Sequence, residues 1–186
     1  SGVTFNADGT KMYIVGEIAN SVLQYTLTTA SDVSGTVTYN GAYNFSAQET
    51  AASGVTFNAD GTKMYVIGES ADSVLQYTLT TAFNVLGTVT YNGAFSVAAQ
   101  SANPADLAFS TNGTKMYVVS DVTNFIYQYT LTTAFDVTGT VTYNGSYSVA
   151  SQDTGPRGVA IKTDGTEIYM VGRAGDSVYQ NRLMLN

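Results

Sequence analysis

Short apolar runs alternate with polar turns along the whole chain, and no stretch of ten residues keeps a helical period. The first unit reads as four strands. "GVTF" is β-branched or aromatic and leads into "NADGT", where Asp8-Gly9 supplies the positive φ of a tight hairpin. "KMYIVG" is apolar at successive positions, the mark of a strand covered on both faces. A polar link over 17–20 precedes "SVLQYTLT", and "TASDVSG" turns the chain into "TVTYNGAYNFSA", a fourth strand expected to carry a bulge. The pattern predicts a four-stranded antiparallel meander.

The same text then returns. Phe5, Phe57, Phe109 and Ile161 stand 52 residues apart, as do Tyr13, Tyr65, Tyr117 and Tyr169, with no insertion or deletion between them. About 37 positions are identical between 1–52 and 53–104, whereas the copy beginning at Pro156 has drifted furthest. The units are 1–52, 53–104, 105–156 and an incomplete 157–186 that carries three strands. One such sheet has two apolar faces and cannot bury both alone, but radial stacking of copies buries them. The expected fold is therefore all-β, a β-propeller of ~52-residue four-stranded blades, three complete and one partial.

The motif "GVTFNADGTKMYIVG…SVLQYTL" resembles the blades of YVTN and lactonase-like propellers. It also resembles the "DGTKMYVVG" repeats of tail-fibre and other virion proteins of environmental phages and of bacterial surface proteins. The likeness spans the chain and implies blade architecture, which binders, scaffolds and enzymes all share. Four blades can close a tight ring, belong to a longer propeller, or pair with a second chain. The reading adopted is an eight-blade ring from two chains, so self-association is expected.

Composition narrows the partners. The formal charge is −7, with 7 Lys+Arg against 14 Asp+Glu, so no basic patch awaits nucleic acid. No apolar run reaches the ~20 residues of a membrane helix, and membrane insertion is not expected. Cysteine and histidine are both absent, which removes thiolate nucleophiles, disulfides, imidazole bases and the usual metal ligands together. No catalytic residue, metal or cofactor is expected. Ser, Thr, Asn, Gly and Tyr richness points towards an extracellular or virion surface and a protein or glycan partner.

Candidate binding groups gather in the loops of one rim. Glu17, Glu69, Asp121 and Arg173 end the second strands, with Asn20, Asp72, Asn124 and Asp176 three residues on. Glu49 and Asp153 lie in the crossings between blades. These loops differ among copies more than the "NADGT" turns on the opposite face, as expected of a rim that meets a partner. The tyrosines of strands two and three are expected between blades, and Gln24, Gln76, Gln128 and Gln180 are expected to bond across them. Tyr39, Tyr91 and Tyr143 on the outer strand could stack on sugars. The resulting expectation is a non-enzymatic attachment or assembly module. A carbohydrate-binding propeller is the first alternative. A lactonase-like enzyme is the second, and would need acids converging at the top of the channel.

Overall fold

A computed structural model describes residues 2–16 and 20–183. Its fifteen strands fall into four sheets, each a simple antiparallel meander. The first holds β1 (Gly2–Phe5), β2 (Lys11–Val15), β3 (Ser21–Leu27) and β4 (Val37–Asn44). The second holds β5 (Ala52–Phe57), β6 (Lys63–Gly68), β7 (Ser73–Leu79) and β8 (Val89–Ser96). The third holds β9 (Pro104–Phe109), β10 (Lys115–Ser120), β11 (Phe125–Leu131) and β12 (Val141–Ser148). The fourth has three strands, β13 (Pro156–Ile161), β14 (Glu167–Gly172) and β15 (Val178–Arg182). The sheets are propeller blades, with β1, β5, β9 and β13 innermost and side by side.

Local chemistry explains each corner. In the first hairpin, Asp8 Oδ1 accepts from the Thr10 hydroxyl at 2.6 Å and the Thr10 N–H at 2.9 Å. These two bonds hold the exposed Asp8 carboxyl below its ordinary value. Gly9 then takes φ 73°, and Gly61, Gly113 and Gly165 repeat it within three degrees, as the turn requires. Asn112 performs the aspartate's role in blade three, accepting from the N–H and hydroxyl of Thr114. The expected bulge in the outer strand is present: pairing with β3 shifts between Gln24 and Tyr25, opposite Gly41 at φ 145°.

Three cores join blade one to two, two to three, and three to four. The first buries Tyr13, Val15 and Val22 of blade one against Val55, Met64, Val66, Leu75 and Tyr77 of blade two. A polar latch accompanies it. Tyr13 OH and Lys11 Nζ both donate to the Phe83 carbonyl, at 2.5 and 3.0 Å, while Val85 N–H donates to Gln24 Oε1 at 3.0 Å. The second junction reproduces it, with Tyr65 and Lys63 on the Phe135 carbonyl and Val137 N–H on Gln76. Rings add a layer: Tyr13 packs on Phe57 at 4.5 Å, and Phe57 on Phe83 at 5.5 Å.

At the third junction the latch changes. Tyr129 of the second junction bonds Gln100, but its counterpart Asn181 exchanges two amide bonds with Gln152, at 2.8 and 3.2 Å. Gln128 makes no bond like those of Gln24 and Gln76 among the described residues. Truncating Gln76 to alanine orphans a buried N–H, and should lower stability by about 1–3 kcal/mol in urea denaturation. The same change at Gln128 should cost clearly less.

Candidate functional site

The rim loops that vary among copies do share one face, because the crossings and the second-to-third-strand links bond each other there. Glu49 does this work between blades one and two. It is buried, and accepts from the N–H groups of Thr50 (2.8 Å), Ala51 (2.6 Å), Ser70 (3.2 Å) and Ala71 (3.1 Å) as well as from the Ser70 hydroxyl. Asp153 takes the N–H groups of Gly155 (2.7 Å), Gly175 (2.7 Å) and Ala174 (3.3 Å). Burial opposes its ionisation, but those donors and Arg173 together hold its carboxyl below the ordinary range. Both carboxylates clamp backbone.

Asn20, Asp72, Asn124 and Asp176 occupy left-handed turn positions, with φ of 45°, 46°, 59° and 46°. Asn and Asp tolerate that region better than other side chains do. The carbonyls of the first three accept from Phe45, Val97 and Val149, which pins the link against the following crossing. Glu17 lies outside the described residues.

The remaining three candidates converge. Arg157 of β13 reaches Asp121 Oδ2 at 2.8 Å through Nη2, and its Nη1 lies 3.7 Å from Glu69 Oε1. Arg173 stands 3.9 Å from the same Asp121 oxygen, and Asn103 donates to Glu69 Oε2 at 3.1 Å. The Asp121 side chain is only 6% exposed, and its Oδ1 is enclosed without a hydrogen-bond partner. Blades two, three and four thus each contribute a charge to one point on the rim.

On β9, the inner strand of blade three, stands Asp106. The equivalent positions are Gly2, Gly54 and Gly158, so this is the one inner strand that carries an acid there. The glycines make the room: a Cβ on Gly54 would come within 2.4 Å of Asp106 Oδ1. Val159 N–H donates to Asp106 Oδ2 at 3.0 Å, tying the inner strands of blades three and four. Burial pushes the Asp106 carboxyl up to about 6, against the lowering effect of the Val159 and Leu107 N–H groups. The carboxylate faces a channel-side cleft of about 380 Å³ that also includes Val3, Thr56, Leu107 and Ala160. Arg157 lies two residues before the N–H that Asp106 accepts.

Neither Asp106 nor Arg157 is among the candidates the sequence offers, because those candidates lie in loops and these two lie on inner strands. A signal was present nonetheless. Each is the only charged residue in its column of the repeat, among Gly2, Gly54 and Gly158 in one case and Ser53 and Ala105 in the other. Among the described residues no group of three or more Asp, Glu, His or Cys could hold a metal ion.

Asp72 Oδ1 is also enclosed without a partner, and burial, then the Glu49 charge, raises its carboxyl above 3.8. The ionised form is therefore the costly one in the fold. That cost is in force above the folded value and fades as pH falls through it. Asp72→Asn, matching Asn20 and Asn124, should stabilise the protein by about 0.5–1 kcal/mol at pH 7. The gain should shrink by pH 4 in paired urea titrations.

A family model described as "Lactonase, 7-bladed beta-propeller" matches residues 48–183. Among solved structures, a functionally unknown protein from Desulfotomaculum acetoxidans shares 16% identity at TM-score 0.64, covering 98% of this chain and 54% of its own. A putative 6-phosphogluconolactonase from Bacteroides uniformis shares 13% at TM-score 0.65, covering 98% of this chain and 67% of its own. Another from Bacteroides fragilis shares 15% at 0.65, with 97% and 49% covered. The chain thus spans about half to two thirds of these proteins, and the likeness is one of fold. No curated protein matches it. The family match overturns the expectation of a non-enzymatic chain, and it supports the lactonase-like part of the resemblance. An adhesive or virion role gains no support from these matches.

Proposed function

Since the chain belongs to the seven-bladed lactonase propeller family, we propose that it is lactonase-like, with a hydrolytic site for cyclic esters at the mouth of its channel. The observation that carries this reading is Asp106, an acid set among glycines on the channel wall, which accepts from the N–H of Val159 two residues beyond Arg157. Ester hydrolysis needs a base to take a proton from water and a cation or N–H group to meet the oxyanion. With its carboxyl near 6, Asp106 is ionised at neutral pH yet basic enough to accept that proton.

In the proposed reaction, water attacks the lactone carbonyl while Asp106 takes its proton. The charge that develops on the carbonyl oxygen is met by the Arg157 guanidinium. The ring C–O bond then breaks, Asp106 returns the proton to the departing alkoxide, and the product is an open hydroxy acid. Asp121 and Glu69 hold Arg157 in place, and their charges keep the mouth from becoming strongly cationic. The putative 6-phosphogluconolactonases among the similar structures support a sugar-derived lactone as the substrate class.

Hydrolysis of a panel of sugar lactones, followed by pH-stat, tests this. Activity should rise with pH through about 6. Asp106→Asn should lower kcat by about 10²–10⁴-fold and remove that limb. Arg157→Gln should cost about 10²–10³-fold. Hydrolysis indifferent to both substitutions would sink the assignment.

A further inference from the structure

Asn40, Asn92, Asn112 and Asn144 each precede a glycine, and all four are exposed. Three of them lie within the paired outer strands, where one threonine hydroxyl donates to the amide oxygen, at 2.9, 2.9 and 2.8 Å. Asn112 stands instead in the first hairpin turn of blade three, and its surroundings differ. Its Oδ1 accepts from three donors: the Ser110 hydroxyl at 2.8 Å, the Thr114 hydroxyl at 2.8 Å and the Thr114 N–H at 3.1 Å.

The sister turns show what such a ring of donors prefers. Asp8, Asp60 and Asp164 fill the same column, and each accepts from the hydroxyl and N–H of the threonine two residues on. Those bonds, the hydroxyl's first, hold all three carboxyls below their ordinary range. The backbone is alike in the four turns, with φ of 70° at Gly113 against 73°, 72° and 72° at Gly9, Gly61 and Gly165. A carboxylate in place of the Asn112 amide therefore needs no rearrangement. Glycine also leaves the nitrogen after Asn112 unshielded by a side chain.

We propose that Asn112 is a self-modification site, where the amide of the folded chain converts to a carboxylate without an enzyme. The Gly113 nitrogen attacks Asn112 Cγ, giving up its proton to water and its hydrogen bond to the Ser110 carbonyl. Negative charge gathers on Oδ1, where the three donors meet it. The Cγ–Nδ2 bond breaks, Nδ2 takes a proton from water, and ammonia departs to leave a cyclic imide. Water then opens the ring. Breaking the new bond to Cγ gives an aspartyl residue, and breaking the original peptide bond gives its isoaspartyl isomer. Either way one water is consumed, one ammonia is released, and nothing is oxidised or reduced.

The two products differ at the latch. The aspartyl product reproduces the sister turns. The isoaspartyl route adds a carbon to the main chain just before Gly113, whose carbonyl accepts from Phe135 N–H at 2.9 Å. The Phe135 carbonyl in turn receives Tyr65 and Lys63 across the second junction. Chemistry at one exposed turn thus reaches the contact between blades two and three. None of this depends on the lactonase reading, and either can fail alone.

Incubating the intact folded chain in mildly alkaline, heavy-oxygen water and mapping its peptides by mass reads the conversion. The peptide holding Asn112 should gain one heavy oxygen before those holding Asn40, Asn92 or Asn144. Thr114→Val and Ser110→Ala each remove one donor, and each should slow the labelling about 5-fold, the weight of one ordinary hydrogen bond. The isoaspartyl fraction, once separated, should unfold at lower urea than the aspartyl fraction and than Asn112→Asp. No label at Asn112, or earlier label at the outer-strand asparagines, would overturn the proposal. Faster labelling in both donor variants would overturn the part given to Oδ1, and an isoaspartyl fraction as stable as the aspartyl one would break the link to the latch.

Discussion

Every other feature depends on one constraint: each sheet is apolar on both faces and must be covered on both. In the interior blades that demand is met by the next copy of the same sequence, so one set of side chains solves the problem repeatedly. Shape alone would let blades slide over each other. The polar latch prevents this, since a buried N–H such as that of Val85 must find the Gln24 oxygen or lose its hydrogen bond altogether. Apolar burial supplies the adhesion and the latch supplies the register.

The repeat made the fold readable. Turn chemistry located the hairpins, the 52-residue period located the blades, and the recurring tyrosines and glutamines were legible as junction residues. The site was less readable for a physical reason. A loop carboxylate looks the same in sequence whether it faces solvent or backbone, so Glu49 and Asp153 read alike with Glu69 and Asp121. Only the folded loops separate them: the first two are consumed by N–H groups, while the second two hold an arginine. Inner-strand residues offer no such cue, because their strands read as scaffold. Comparison of the chain with itself would have exposed Asp106, since an acid in a column of glycines needs a reason that packing does not give.

The drift in the last unit has the same logic. Columns that serve internal junctions stay nearly fixed through blades one to three. Columns of blade four have changed on both of its faces, as with Glu167 for lysine and Asn181 for tyrosine. Where Asn181 still meets a neighbour, it has found a different bond, with Gln152, in place of the lost one. The exposed Val178 and the half-buried Tyr169 nevertheless keep their types.

The spacing of the latch has a further consequence for how such a molecule can change over time. Tyr13 and Tyr65 each find a carbonyl 70 residues ahead, and Gln24 and Gln76 each find an N–H 61 residues ahead. Donor and acceptor are always one unit apart in phase, so removing or inserting a whole unit leaves every surviving pair matched. Nothing in the latch records which blade it belongs to. Chain connectivity alone sets the order, and a gene that stutters by one period hands the fold another wedge it already knows how to hold.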